Sequence, residues 1–393
     1  MSWPMVKLSE ICSVLSGFTF KSNYFGDSGI PLVRIRDVMK GFSETYYSGE
    51  YDEQFVVNNN DILIGMDGDF NIAKWAGGEA LLNQRVCKIT PDLSVVDADY
   101  LFYFLPLKLK EIWDETAFVT VKHLSVKKIN DIDIPLPELS IQKDISAMLR
   151  VSDSLRDQSK KMESELNALA QAVFVEMFGD PVSNPKEWDV KPLKDLVVDF
   201  QGGKSLVAAD SLGDSANNRV LKISAVTSGE FDCNESKALP DDYFPPKEHF
   251  VRRGDLLFSR ANTTELVGAT SLVFEVPDNI LLPDKIWRFV WKEPESVSQC
   301  FFWQLLRYRT MREQLSKISS GSGGSMKNIS KGKLNELTVV VPPLEKQLQF
   351  EKIFMGIRAQ KEVNRKVKCK SEKMFNALMQ RAFSGKTELK NVA

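Results

Sequence analysis

The chain of 393 residues contains one pattern twice, and this repeat limits the folds that it can adopt. The first copy reads LSVKKINDIDIPLPELSIQ over 124–142, and the second reads ISKGKLNELTVVVPPLEKQ over 329–347. Each copy leads into a long helical stretch, and these stretches end in NALAQ at 167–171 and NALMQ at 376–380. The two copies lie much farther apart in the sequence than successive units of a solenoid do. The pattern therefore predicts a duplicated domain.

The composition is that of a soluble protein large enough for two domains with their own cores. No apolar run approaches the roughly 20 residues that a membrane-spanning helix needs. The first residues lack the apolar core of a signal peptide, so we expect a cytoplasmic protein. The net charge is −2, and binding of nucleic acid would therefore have to depend on local basic patches.

The residues needed for catalysis are scarce. The five cysteines form no CxxC pair, which favours isolated thiols over a metal site. Only two histidines occur, His123 and His249, and neither lies in a metal-binding spacing. The second copy has Asn328 where the first has His123, which argues against an essential catalytic histidine. The glycine-rich segments lack the spacing of a phosphate-binding loop. We predict no catalytic site and no metal site.

The apolar spacing predicts the architecture. Positions from Ile141 to Val173, and from Phe350 to Leu378, alternate spacings of three and four, which is typical of a coiled-coil seam. Polar residues at mid-seam, such as Ser159 and Asn364, either fix the register or mark where a partner or water enters. Strand-like runs come before each repeat, with one internal helix at about 97–115 in the first half and about 295–317 in the second.

We therefore predict an α+β fold. Two similar mixed α/β domains are separated by two long antiparallel coiled-coil helices, with a pseudo-twofold relation. The predicted divisions are a first domain at 1–138, a central helix at 139–179, a second domain at 180–343, a C-terminal helix at 344–385 and a tail at 386–393.

The loops between the repeated segments carry side chains suited to DNA. Arginine and asparagine read base edges, whereas lysine and hydroxyl groups fit phosphates. The candidates are Lys21, Arg34, Arg36, Asn71, Lys74, Arg85, Lys122, His123 and Lys127 in the first half, and Lys204, Lys222, Arg260, Asn262, Lys327, Asn328 and Lys331 in the second. The two halves share a scaffold and differ in their loops, which suits two domains that recognise different DNA sequences. A scaffold that binds two protein partners without reading DNA is the alternative.

These features together resemble a type I restriction-modification specificity subunit over nearly the whole length. The resemblance is carried by the paired starts at Trp3 and Trp188, the turns NDILI at 60–64 and GDLL at 254–257, NQRV at 83–86, the block at 328–347 and the ending LMQRAFSG at 378–385. One departure is Pro137-Glu138, where the second copy has Pro342-Pro343.

The resemblance implies that the two domains are target-recognition domains, each reading one half of a bipartite, asymmetric double-stranded DNA target. It implies a non-catalytic recognition subunit of a restriction endonuclease and adenine-N6 methyltransferase complex. Two methyltransferase subunits and restriction/translocase subunits would be its partners. S-adenosylmethionine, ATP and Mg²⁺ would then bind to those partners, and this chain would hold no cofactor of its own.

Overall fold

The computed structural model describes residues 3–116, 121–204, 217–240, 242–321 and 326–383. The chain divides into two units, the first from residues 1–161 and 364–393 and the second from residues 162–363. The predicted tail at 386–393 lies outside the described residues. Each unit is described separately below.

The first unit contains β1 (Met5–Lys7), α1 (Leu8–Ile11), β2 (Cys12–Ser16), β3 (Phe25–Gly26), β4 (Ile30–Val33), β5 (Tyr46–Tyr47), β6 (Val56–Val57), β7 (Ile62–Gly65), β8 (Ile72–Lys74), β9 (Ala80–Leu82), β10 (Val86–Pro91), α2 (Ala98–Glu115), α3 (Val126–Asn130), β11 (Asp133–Pro135) and the first part of α4 (Leu139–Phe178). One sheet has the antiparallel order β2-β10-β7-β8, and a second, mixed sheet has the order β3-β5-β4-β9-β6.

The second unit continues with the rest of α4, β12 (Val190–Pro192), α5 (Leu193–Leu196), β13 (Val197–Gly202), β14 (Arg219–Leu221), β15 (Ser236–Ala238), β16 (Leu256–Ser259), β17 (Ala261–Asn262), β18 (Thr270–Leu272), β19 (Ile280–Leu281), β20 (Ile286–Trp291), α6 (Gln299–Arg307), α7 (Arg309–Ile318), β21 (Lys327–Asn328), α8 (Lys331–Asn335), β22 (Thr338–Val340) and α9 (Leu344–Phe383). The last part of α9 belongs to the first unit. The order β13-β20-β16-β18 repeats the four-stranded sheet of the first unit.

The repeated turn-then-strand signatures form the central strands β7 and β16. Ile62 and Ile64 face the core formed with α2, while Leu63 faces the second sheet. In the second unit, Leu256 and Phe258 face the corresponding core, and Leu257 faces the other side. Because both faces of these strands are covered, their sequences are continuously apolar rather than alternating.

The repeated glutamine of each copy holds the start of an internal helix. Gln142 accepts a hydrogen bond from the N–H of Asp97, the N-cap of α2, at 2.8 Å and donates to Pro137 O at 2.8 Å. Gln347 accepts from the N–H of Ser298, the N-cap of α6, at 3.0 Å and donates to Pro342 O at 2.7 Å. Both glutamines are buried. The repeat therefore marks a joint between each long helix and the internal helix beside it.

The internal helix of the first unit is confirmed, whereas the single helix expected at 295–317 is wrong. The chain forms α6 and α7 instead, separated by Tyr308 in an extended conformation (φ −62°, ψ 140°). A residue with that ψ cannot continue the ladder of hydrogen bonds, so the helix ends and restarts.

The long helices pair antiparallel within each unit. In the first unit, Asn364 Nδ2 donates to Ser159 O at 2.8 Å, and the Arg156 guanidinium lies 4.4 Å from the ring centroid of Phe375. In the second unit, Phe174 near the end of α4 packs on Phe350 near the start of α9. The Asn364 contact supports a role for this polar residue in fixing the register.

The predicted seam is only partly buried. Ile145 and Leu166 are buried as expected, but Leu155, Met162 and Leu169 are 39%, 47% and 47% exposed. The buried stripe includes residues such as Leu149, Ala170 and Phe174, because the helices pack against the globular part of each unit as well as against one another. The α+β fold class with two similar domains and two long helices is confirmed. The exact domain boundaries remain a prediction.

Candidate nucleic-acid interface

Four backbone segments meet at one edge of the first unit. They are the loop that follows β2, the turn that precedes β10, the segment that follows β7, and the segment that precedes α3. Gln84 N–H donates to Phe18 O at 2.9 Å, and Met66 N–H donates to Arg85 O at 2.9 Å. Leu124 N–H in turn donates to Met66 O at 2.7 Å. This four-segment edge brings together candidates that are far apart in the sequence.

The second unit has the same four-segment edge. Gly203 N–H donates to Pro283 O at 3.0 Å, and Arg260 N–H donates to Lys285 O at 3.0 Å. Ile329 N–H donates to Arg260 O at 2.8 Å, as Leu124 does to Met66 in the first unit. The two hydrogen bonds made through Met66 and through Arg260 therefore match position by position, although the side chains at these positions differ.

A glycine makes the close approach possible in each unit. A Cβ at Gly17 would lie 2.2 Å from Asn83 O, and a Cβ at Gly203 would lie 1.7 Å from Leu282 O. Both distances are far below van der Waals contact, and the obstacle is backbone rather than a movable side chain. These loops thus require glycine, which explains why both sequences carry one there.

An acidic residue orients two candidates in the first unit. Asp67 Oδ1 lies 2.7 Å from His123 Nδ1, and Asp67 Oδ2 lies 3.5 Å from Arg85 Nε. The Arg85 and His123 side chains are 54% and 51% exposed. The edge thus presents an oriented guanidinium beside an imidazole. Because the contact with Asp67 engages Arg85 Nε, the Nη groups remain as donors for a base edge.

Arg260 is supported from two directions in the second unit. Its Nε donates to Asp284 O at 2.9 Å, and its Nη2 lies 3.6 Å from Asp284 Oδ2. Its guanidinium carbon is 5.4 Å from the ring centroid of Trp287. An arginine fixed in this way loses less side-chain entropy on binding.

The neighbouring candidates of the second unit lie on the same edge. Asn262 pairs with Lys327 and Ala261 pairs with Asn328 in the short β17–β21 ladder. Lys331 Nζ lies 2.6 Å from a carboxylate oxygen of Asp199, and it lies 5.9 Å from the ring of Trp287. The structure therefore brings Arg260, Asn262, Lys327, Asn328 and Lys331 together.

Three candidates occupy corresponding 3₁₀ turns. Arg34 precedes the turn at Ile35–Asp37, which contains Arg36, and Lys222 precedes the turn at Ile223–Val226. Arg36 Nη2 donates to Thr45 Oγ1 at 3.1 Å, and Lys222 Nζ lies 3.8 Å from Glu235. The remaining candidates Lys21, Asn71, Lys127 and Lys204 are exposed.

Two of the candidate lysines make their contacts with another element of the first unit, the helix α2. Lys74 forms an ion pair with Asp99 on α2 and lies beside Ile62, at the end of β7 remote from Asp67. Lys122 donates to Trp113 O and lies over the Trp113 ring at 3.6 Å. The structure gives both lysines a role in attaching α2, and neither joins the exposed charges of the edge.

An internal ion pair involves the aspartate that precedes the central strand of each unit, Asp61 before β7 and Asp255 before β16. In the second unit, the nearly buried Arg288 contacts Asp255 at 2.8 Å and donates to Phe250 O at 3.0 Å. Burial raises the pKa of Asp255, and the positive charge of Arg288 opposes that rise. In the first unit, Lys88 lies 3.6 Å from Asp61 and donates to Val56 O at 3.0 Å.

The sequence did not single out Asp67, Asp199, Asp284 or Trp287 as parts of the site. An aspartate two residues after a buried strand, as in Gly65-Met66-Asp67, is the one local signal that was available. In the part of the chain that the structure describes, no group of three or more His, Cys, Asp or Glu side chains could hold a metal ion. Within the same residues, no helix has both the length and the apolar character needed to cross a membrane.

Comparison with known proteins matches both halves of the chain to one family. The family model described as type I restriction modification DNA specificity domain matches residues 2–168 and 185–368. The chain is 30% identical over 307 residues to the type I restriction enzyme EcoBI specificity subunit of Escherichia coli, a match that covers 71% of this chain and 63% of that protein. It is 25% identical to the MjaVIII specificity subunit of Methanocaldococcus jannaschii, over 99% of this chain and 94% of that protein.

The fold is also that of solved specificity subunits. The S subunit of a type I restriction-modification system from M. genitalium superposes with a TM-score of 0.62 at 14% identity, covering 97% of this chain and 96% of that one. A second structure, from work on complex assembly and conformational transition of the type I system, superposes with a TM-score of 0.54 at 16% identity.

Proposed function

The chain belongs to the type I restriction modification DNA specificity family, and from this premise we propose that it selects the DNA sequence on which a type I complex acts. Each unit reads one half of a bipartite, asymmetric double-stranded target. The observation that carries the proposal is the family match, which covers both units. A protein-binding scaffold without DNA readout is not favoured, because that match is to a DNA specificity domain.

The side chains that recognise DNA bases lie on the four-segment edge of each unit. Arg85 and Arg260 are each held by an aspartate, which suits bidentate donation to the O6 and N7 of a guanine. Asn262 and Asn328 have the amide groups that match adenine, and Lys327 and Lys331 suit phosphates. Because corresponding positions carry different side chains in the two units, the two half-sites would differ in sequence.

The chain contributes recognition, and we assign catalysis to its partners. Its relatives are named as subunits of restriction enzymes, which supports assembly with other subunits of such a system. Two methyltransferase subunits and the restriction/translocase subunits would bind S-adenosylmethionine, ATP and Mg²⁺. Apolar side chains on α4 remain exposed in the chain alone, Val151 and Leu155 in the first unit and Met162 and Leu169 in the second. Exposed apolar side chains of this kind suit the docking of a partner subunit.

The test is to map methylated adenines in a host that expresses the methyltransferase partner with and without this chain. We expect one split motif that appears only when the chain is present. The same motif without the chain, or no motif with it, would contradict the proposal. The variant Lys74→Ala serves as a control, because its ion pair with Asp99 lies outside the edge and the motif should not change.

A further inference from the structure

The most exposed large apolar side chain that the structure describes belongs to a phenylalanine on a loop of the second unit. Phe244 is 87% exposed, whereas the next most exposed residues, Leu93 and Val198, are each 67% exposed. Single exposed apolar residues are common on proteins. Three further observations distinguish this one.

The loop holds Phe244 on a stiff backbone. Pro245 and Pro246 follow it directly, so two φ angles are fixed and Phe244 itself is restricted to extended conformations. On the other side, Tyr243 packs against the small core that contains Leu239 and Leu281. The aromatic ring is thus presented to solvent by a segment with little freedom to fold it inward.

The same loop is tied to the four-segment edge. Leu282 N–H donates to His249 O at 2.9 Å, and Leu282 leads directly into the segment that contacts Gly203 and Arg260. Arg288 donates to the backbone carbonyl of Glu248 and to Gln201 Oε1 at the end of β13. Phe244 therefore lies in a loop anchored beside the candidate DNA-binding residues.

Basic residues accompany the ring in this unit and not in the other. Lys247, Arg252 and Arg253 follow Phe244 within nine residues and are exposed, and the acidic Asp242 and Glu248 are exposed in the same segment. The corresponding loop of the first unit precedes Val56, which accepts from Lys88 as Phe250 accepts from Arg288. That loop carries Glu50, Tyr51, Asp52 and Glu53, has no proline, and Tyr51 is only 40% exposed.

We propose that Phe244 is a wedge that inserts between base pairs of double-stranded DNA at the half-site bound by the second unit. Proteins that bend DNA insert apolar side chains at a base step in this way, while flanking cations hold the phosphates. This inference rests on the proposed function and deepens it. It predicts local unstacking at one half-site, because the first unit has no equivalent residue.

The experiment uses the full chain assembled with its methyltransferase partner and duplexes that contain the mapped motif. 2-Aminopurine is placed at successive positions, and its fluorescence rises where a base is unstacked. We expect a rise at one step in the second unit's half-site, which is lost with Phe244→Ala. Loss of base stacking should weaken specific binding by about tenfold or more, and Phe244→Leu should retain part of the effect.

The matched control is Val190→Ala, which removes an exposed apolar side chain from β12, where Val190 pairs with Val340 of β22. It should bind DNA like the wild type, and neither variant should change the melting temperature. Unchanged fluorescence and affinity with Phe244→Ala would overturn the wedge. Weaker capture of the methyltransferase partner by Phe244→Ala would overturn it too, by placing the residue in a protein interface. If the wild-type complex binds no specific duplex, the proposed function itself fails.

Discussion

Replacing Phe174 with alanine tests whether the ends of the long helices belong to the core of the second unit. Phe174 lies near the end of α4 and is 1% exposed. Its ring centroid is 5.2 Å from that of Phe178, 5.8 Å from that of Phe301 and 5.5 Å from that of Phe350. The ring therefore joins α4, α6 and α9.

The expected loss is large because a whole ring is removed from a packed site. Truncation of a buried phenylalanine to alanine costs about 3–5 kcal/mol. Favourable ring pairs add about 0.5–1.5 kcal/mol each beyond area burial, so we place this substitution at the upper end of that range. For a unit of this size, roughly 2–4 °C is lost per kcal/mol, which gives a fall in melting temperature on the order of 10–20 °C.

The assay is urea and thermal unfolding of the full chain, followed by circular dichroism and tryptophan fluorescence. The control is Leu169→Ala, which lies on the same helix but is 47% exposed and should cost little. A shift for Phe174→Ala no larger than that of Leu169→Ala would refute the reasoning. It would mean that α4 behaves as a separate rod rather than as part of the core.

Three further predictions follow from the described contacts. Arg260→Ala should relax one position of the methylated motif, as measured by methylome sequencing. Arg260→Lys should restore affinity without the full base preference, because a lysine ammonium lacks the planar fork of the guanidinium. Burial raises the pKa of the Cys87 thiol to about 12 from its ordinary 9.0, so its thiolate fraction at pH 8 falls about 1000-fold. Native alkylation at that pH should therefore label the exposed Cys369 and spare Cys87, and equal labelling rates would contradict this burial. Arg288→Met should cost about 3–5 kcal/mol in urea unfolding because it leaves Asp255 buried without its partner. The double variant with Asp255→Leu should recover part of that loss, and no recovery would show that Arg288 acts mainly through its backbone contacts.

The sequence predicted the two domains and the two long helices because both depend on repeated or periodic spacing of residues. The repeat predicted two similar domains, and the three-four spacing predicted two helices that the structure places at Leu139–Phe178 and Leu344–Phe383. Start and stop signals are local, so a single sequence contains them. The break at Tyr308 was missed because residues on both sides of it have a helical pattern, and the local sequence gives no sign of the extended backbone there.

The site was less predictable because it depends on contacts between distant segments. Residue type and loop position predicted Arg85 and Arg260 as candidates, but not the aspartates that orient them. Lys74 and Lys122 match the exposed lysines in type and location, yet their ammonium groups contact α2. Whether a lysine side chain points to solvent or to a neighbouring element is decided by tertiary packing, and no spacing rule in the sequence carries that information.

The central claim is that the two units read separate halves of one DNA target, and exchange of the first domain tests it most directly. Residues 1–138 would be replaced by the corresponding segment of a relative that specifies a different motif, and methylated adenines would be mapped genome-wide with the same methyltransferase partner. The account predicts a hybrid motif in which one half changes to that of the donor while the other half is retained. A motif that stays unchanged, or that changes in both halves, would contradict it.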